Sequence, residues 1–400
     1  MRRLIVGAVA TVIAVVGFAR GAAAYPQFQF SSGTNKCNQC HFSPAGGGLL
    51  SSWGRSESGD TISLGGDGGF LHGAVTLPSW VALGADIRLA TTRTDDGGVE
   101  SPRTAWFPMQ SDLYARFSFT DAFSFYMATG VRGETRPASG FSETGVGQIN
   151  TDFGTVIDRF ISREHYLMWR PSATGPYARI GRFYAPYGLR FVEHIYFIRR
   201  YAGYELYNET YTASGGYVAD EWELHLSAFT PPPSSFPDFF QSVGARESGG
   251  AVYYERRFIG ESPVTGALAG QGRVGIGKEM TRFQAGAVGK LWFDPIKVLV
   301  LGEADLIRQE VPDASFGQNQ FVSYLGPTWL PVRGVMVGAA YERFQENLSV
   351  STTARNAYDV QLNFFPWAHF ELFGFFRYQM VGQAGQPAAT LFMAQLHYYL

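Results

Sequence analysis

The chain has 400 residues and a formal net charge of -2, with 32 Lys and Arg against 34 Asp and Glu. That balance, with no basic cluster, excludes the electrostatic footprint of a nucleic-acid binder. Charged residues are only 16%, below the roughly 25% of an ordinary soluble domain, while aromatics reach 16% and there are 48 glycines, so much of the surface is expected not to face water.

In chain order, residues 1–24 read as a secretory signal. Arg2 and Arg3 precede the apolar run LIVGAVATVIAVVGFA, and Ala22 and Ala24 supply a small-residue cleavage site ahead of Tyr25. Export places the rest in an oxidising compartment. In a Gram-negative host that is the periplasm or the outer membrane.

The stretch 31–50, SSGTNKCNQCHFSPAGGGLL, holds both cysteines of the chain, Cys37 and Cys40, followed directly by His41. Cys-x-x-Cys-His is the attachment signature of a c-type haem. The two thiols form thioethers to the vinyl groups and His41 is the proximal iron ligand. The expected cofactor is one covalent haem c, on a module spanning 25–65. A Cys37–Cys40 disulfide is an alternative, although the βαβ setting of a thioredoxin-like pair is missing. A zinc site is a weaker one, because it needs a fourth ligand.

The second axial ligand is less legible. His72 is the nearest downstream histidine and the tentative distal ligand. His225 falls on a lumen-facing row, and His165 and His397 are placed there as well. Met109 precedes a strand, and Met127 is assigned to the lipid face.

From residue 79 onward no segment offers the ~18 continuous apolar residues of a membrane helix. Instead, segments of alternating polarity recur. In EWELHLSAF (221–229), Trp222, Leu224, Leu226 and Ala228 oppose Glu221, Glu223, His225 and Ser227. In DLYARFSFT (112–120), Leu113, Ala115, Phe117 and Phe119 oppose Asp112, Arg116 and Ser118. YDVQLNFF (358–365) and VMVGAAYERF (335–344) alternate likewise. About sixteen strands follow, starting near 79, 105, 123, 162, 176, 207, 221, 249, 265, 281, 296, 319, 334, 356, 370 and 389. The last runs to the end of the chain with Phe392, Ala394, Leu396, Tyr398 and Leu400 outward. TDDGG (94–98), TDA (120–122), WFDPI (292–296) and FFPWAHF (364–370) mark turns. Longer polar connections are expected at 135–160, 191–206, 231–248 and 309–318. Short turns at one end and long loops at the other fit a large antiparallel transmembrane β-barrel over 79–400. Asp86, Arg88, Asp112, Arg116, Glu223, Glu342 and Arg377 are expected as the polar lining of its wet interior. No nucleophile elbow, His-Glu-x-x-His or phosphate loop is present, so no enzyme is expected.

Two resemblances follow from these residues. ARIGRFYAPYGLR (178–190), LGPTWLPVRGVMVGAAYERF and FFPWAHFELFGFFRYQ resemble strand–loop motifs of porins of the phosphate-selective group, which implies a porin-like barrel and no particular solute. The segment 25–60, with Pro44, Gly46, Gly47 and Gly48 after the haem motif and Trp53-Gly54 beyond, resembles single-haem modules preceding some bacterial outer-membrane barrels. Together they imply a monohaem electron-transfer protein anchored in the outer membrane, with its haem module on the periplasmic side or in the lumen. The implied partners are the lipid bilayer and periplasmic or surface redox cytochromes. A solute porin with the haem module as plug or redox gate is the alternative.

Overall fold

The computed structural model describes residues 25–98, 101–131, 160–191, 193, 195–205, 208–232, 247–278, 280–311, 317–382 and 387–400. The predicted signal segment 1–24 and most of the 135–160 connection lie outside them.

Sixteen antiparallel strands close into one barrel, each pairing with its sequence neighbours and β1 (Val81–Asp95) pairing with β16 (Ala389–Tyr399). The others are β2 (Arg103–Ser118), β3 (Phe123–Val131), β4 (Phe160–Trp169), β5 (Gly175–Phe183), β6 (Thr210–Val218), β7 (Trp222–Thr230), β8 (Ser248–Phe258), β9 (Val264–Ile276), β10 (Thr281–Phe293), β11 (Val298–Glu310), β12 (Gly317–Val332), β13 (Val335–Gln345), β14 (Ala354–Trp367) and β15 (Phe370–Val381). Closure pairs every edge, the condition for a sheet to span a bilayer.

Strand parity decides what faces out. Leu226, Val360 and Leu362 are exposed, whereas Glu223, His225, Asp359 and Asn363 are buried inside. Ile180, at 63% exposed, and Leu268, at 62%, belong to the same outer belt, which is the surface lipid covers. Trp80, Phe119, Phe123, Trp329 and Trp367 sit exposed at the short-turn ends as an aromatic girdle. Turns at that end are as brief as 333–334 and 368–369, while connections at the other include 184–209 and 231–247.

Three details differ from expectation. Met109 lies within β2, because the strand begins earlier than its polar start suggests. His165 shares parity with exposed Leu167 and Trp169, while Tyr166 and Met168 turn inward, so its strand phase puts it on the outer row. Leu400 is buried although it keeps the outward row: one residue past β16, it donates its N–H to the Ala85 carbonyl at 2.7 Å and packs with Ala85, Ile87, Tyr398 and Phe70.

Candidate functional site

Two inserts fill the lumen from opposite ends. From the short-turn end comes the segment 25–75. Asn38 Nδ2 donates to the Ala173 carbonyl at 2.6 Å, and Lys36 pairs with Asp220, both in short turns. The Ala368 N–H donates to the Gly65 carbonyl at 2.7 Å, and Arg333 donates to the carbonyls of Gly59 and Ser63. Deeper in, Gln29 bridges to the wall: it accepts from Lys290 Nζ at 2.8 Å and donates to Glu255 at 3.2 Å. Leu49 is fully buried in a cluster with Tyr114, Tyr126, Tyr166 and Phe183.

From the long-loop end comes the β5–β6 connection. Leu189 N–H donates to Glu303 at 2.7 Å, Tyr196 OH donates to Gln361 at 2.8 Å, and helix α3 (Phe197–Arg200) is capped by Glu342 at the Phe197 N–H. The inserts meet where Arg190 Nη1 donates to the Ala45 carbonyl at 2.7 Å. Arg190 also reaches Glu223 at 3.3 Å and stacks 4.7 Å from the Tyr253 ring.

The expected wet lining is therefore corrected. Asp86, Arg88, Asp112, Glu223, Glu342 and Arg377 do point inward, but they are buried in ion pairs beneath these inserts. Arg116 is partly buried with its guanidinium 4.5 Å from the Phe42 ring centre. Parity was readable strand by strand; cover supplied by remote segments was not.

Within the first insert, Cys37 and Cys40 form the single turn α1 (Cys37–Cys40), and His41 follows as its C-cap in extended conformation. Gly46, Gly47 and Gly48 all take positive φ, at 79°, 80° and 64°. Only glycine adopts three such residues in a row without strain. The reversal they make brings Leu50 back to pair with His41 and sets the Gly48 carbonyl 3.3 Å from His41 Nδ1. Helix α2 (Ser52–Glu57) then packs on α1, and a Cβ on Gly54 would run into the Cys40 carbonyl oxygen.

Both cysteines are free thiols. Burial pushes the Cys40 thiol up to about 12 and raises Cys37 as well. Reactive disulfide-exchanging cysteines are lowered instead. Burial holds the His41 imidazole down at about 4, so it is neutral. With Nδ1–H donating to Gly48, its Nε2 carries the lone pair that a metal takes.

The two thiols and His41 open on one cavity inside the barrel. Its walls are largely apolar, with Phe28, Leu50, Ile62, Leu189 and Phe365 among them, and polar groups enter at Tyr25, Asp86, Lys290 and His397. The donor set, two thiols one turn apart and an imidazole beside them, fits a covalent haem. Among the described residues no group of three or more His, Cys, Asp or Glu converges on a bare metal ion, which leaves the zinc alternative without support.

His72 is not among the residues lining this cavity. It packs against His369, Phe370 and Tyr398, where the turn after β14 meets the last strand. His225 is inside but bonded to Tyr177 at 2.6 Å and Glu223 at 3.1 Å. His397, on β16, does line the cavity. The signal that could have singled it out is parity: it alternates with outward Leu396 and Tyr398.

These features define a transmembrane β-barrel of porin fold whose lumen is filled by its own chain. No protein-family profile matches the sequence, and no curated protein does. Among solved structures, the chain is similar to Pseudomonas putida OprB, at 10% identity and TM-score 0.59, covering 80% of this chain and 94% of that one. It is similar to OmpT of Vibrio cholerae at 11% identity and TM-score 0.55, covering 82% and 100%. An anion-selective porin from Comamonas acidovorans matches at 11% identity and TM-score 0.54, covering 80% and 99%. Identities this low mark a shared fold and nothing finer.

Proposed function

We propose that the chain is an outer-membrane barrel of porin type, closed by its own N-terminal segment, and that this segment carries one haem c on Cys37, Cys40 and His41. The observation that supports it is that both thiols and His41 open on one and the same cavity. By the usual polarity of such barrels, the short-turn end and the haem segment lie on the periplasmic side.

When bound, the haem supplies one-electron Fe(II)/Fe(III) chemistry. The chain's residues do the rest. Cys37 and Cys40 fix the cofactor to a short turn anchored in the wall. The Gly48 carbonyl orients the His41 ring. Phe28, Leu50, Leu189 and Phe365 exclude water and lower the local dielectric, which favours the less charged redox state. In this reading the protein is an electron carrier held in the membrane. A hydrocarbon layer of about 30 Å is long for one haem, so redox cytochromes on one or both faces complete the relay.

A second reading is a solute channel with the haem segment as its gate. The likeness to porin structures favours it. So does a second cavity beyond Gly46–Gly48, lined by Arg163, Arg179, Arg190 and Arg199 with Tyr126 and Tyr187. The packed lumen fits a closed gate as well as a carrier.

Haem staining of the denatured protein with a reduced-minus-oxidised spectrum tests the cofactor, and absence of retained haem sinks it. Planar-bilayer conductance in oxidised and reduced states separates the readings. A redox-dependent conductance supports the gate; a silent barrel whose haem exchanges electrons with an added cytochrome supports the carrier.

A further inference from the structure

We infer that His397 is the distal haem ligand, making the site a bis-histidine centre between the N-terminal segment and the last barrel strand. This rests on the haem reading above.

The chain has seven histidines, and of the described ones only His41 and His397 line the cavity that the two thiols share. His397 is 2% exposed. Its Nδ1–H donates to Glu371 Oε2 at 2.5 Å. Its Nε2 lies 3.1 Å from Asp86 Oδ2, within ion-pair distance, but makes no hydrogen bond of good geometry. Asp86 is meanwhile held by Arg88, through Nε at 2.9 Å and Nη2 at 3.1 Å.

This is the pattern of a metal-ligating histidine. One ring nitrogen donates to a carboxylate, which sets the tautomer and raises basicity, while the other keeps its lone pair. His41 shows the same division, with Nδ1 on the Gly48 carbonyl. Glu371 is itself rigid. It accepts from Tyr25 OH at 2.6 Å and from Asn363 Nδ2 at 2.6 Å. His72 has neither property: it is outside the cavity, and its Nε2 faces Tyr398 OH at 3.3 Å. The competing role for His397 is a protonated bridge between Asp86 and Glu371 with no tie to iron.

The test uses the full haem-loaded chain. A pyridine haemochrome of denatured protein measures covalent haem regardless of the distal ligand; no haem there overturns the haem reading itself. With haem present, native wild type is expected to give a low-spin spectrum with bis-histidine electron paramagnetic resonance. A high-spin or methionine-type signature overturns the His397 assignment. His397→Ala is expected to turn high-spin with covalent haem unchanged, and added imidazole is expected to restore the low-spin form. His72→Ala is expected to leave the spectrum alone. A His397→Ala spectrum identical to wild type assigns His397 the bridging role and overturns the inference. Heat-modifiable gel mobility checks that the barrel is folded; if His397→Ala fails it, the wild-type resonance decides. Glu371→Gln is expected to stay low-spin with a raised reduction potential, and an unchanged potential counts against the inference.

Discussion

Glu371 and His397 occupy facing positions on β15 and β16, with the histidine donating to the carboxylate at 2.5 Å. The same oxygen accepts the hydroxyl of Tyr25, the first described residue. One carboxylate thus ties the start of the N-terminal insert to the last two strands, across a sequence separation of 346 residues.

Tyr25→Phe removes that hydroxyl and leaves Glu371 short of one donor. Loss of a buried hydrogen bond to a charged group costs ~1.5–3 kcal/mol. Hydrogen exchange across 25–36 is expected to speed accordingly, with the barrel strands unaffected. Unchanged protection would show that Gln29 and Lys36 anchor the segment unaided.

Leu49→Ala hollows the contact of the insert with Tyr114, Tyr126 and Tyr166. Truncating a buried leucine costs ~2–5 kcal/mol. The insert is expected to leave the lumen more often, seen as rare conductance openings in planar bilayers where wild type is quiet. Equal conductance in both would mean that the β5–β6 insert alone seals the barrel.

Gly54→Ala places a methyl group against the Cys40 backbone. The expected result is poorer packing of α2 on α1, lower haem loading and faster proteolysis near residue 50. Gly65, whose Cβ would meet open space, is the control: Gly65→Ala is expected to load haem as wild type does.

His369, in the turn after β14, holds the insert by donating from Nε2 to the Gly68 carbonyl at 3.0 Å. Burial first, and the neighbouring His72 second, keep its imidazole down at about 4, below the usual ~6.5. The docked form therefore refuses a proton that the undocked form accepts. Docking is full above pH ~6.5 and weakens as pH falls towards ~4, by at most ~3 kcal/mol. Hydrogen exchange of 66–75 is expected to accelerate from pH 7 to pH 5 in wild type, and to lose that dependence in His369→Gln. A pH-independent wild type would refute it.

Ile180→Arg puts a charge in the middle of β5 on the lipid belt, where Ile180 is 63% exposed. Near the bilayer midplane this costs ~2–4 kcal/mol. Urea unfolding in liposomes is expected to shift to lower concentration, while in detergent, which solvates the belt differently, the shift shrinks. An equal shift in both would place Ile180 off the lipid face.

The barrel was legible because its information is local. Period-two alternation needs no partner to be read, and segments such as Trp222–Thr230 and Ala354–Trp367 carry it plainly. Turn chemistry at 120–122 and 364–370 then fixes where strands reverse. Errors arose where locality failed. The phase of β4 slips at a bulge opposite Ala128 and Thr129, which moved His165 to the outer row. Leu400 is buried because Phe70, remote in sequence, packs over it.

The site divides the same way. Cys37, Cys40, His41 and the glycines after them lie in one short stretch, so the haem expectation could be formed from sequence alone. What only the tertiary structure decided is what surrounds that turn: Arg190 meeting Ala45, Gln29 reaching Lys290 and Glu255, and His397 arriving from the last strand. Those contacts join residues far apart in the chain. They depend on closure of the barrel, which brings β16 beside β1 and gives two remote inserts one lumen to fill, and no local pattern encodes that meeting.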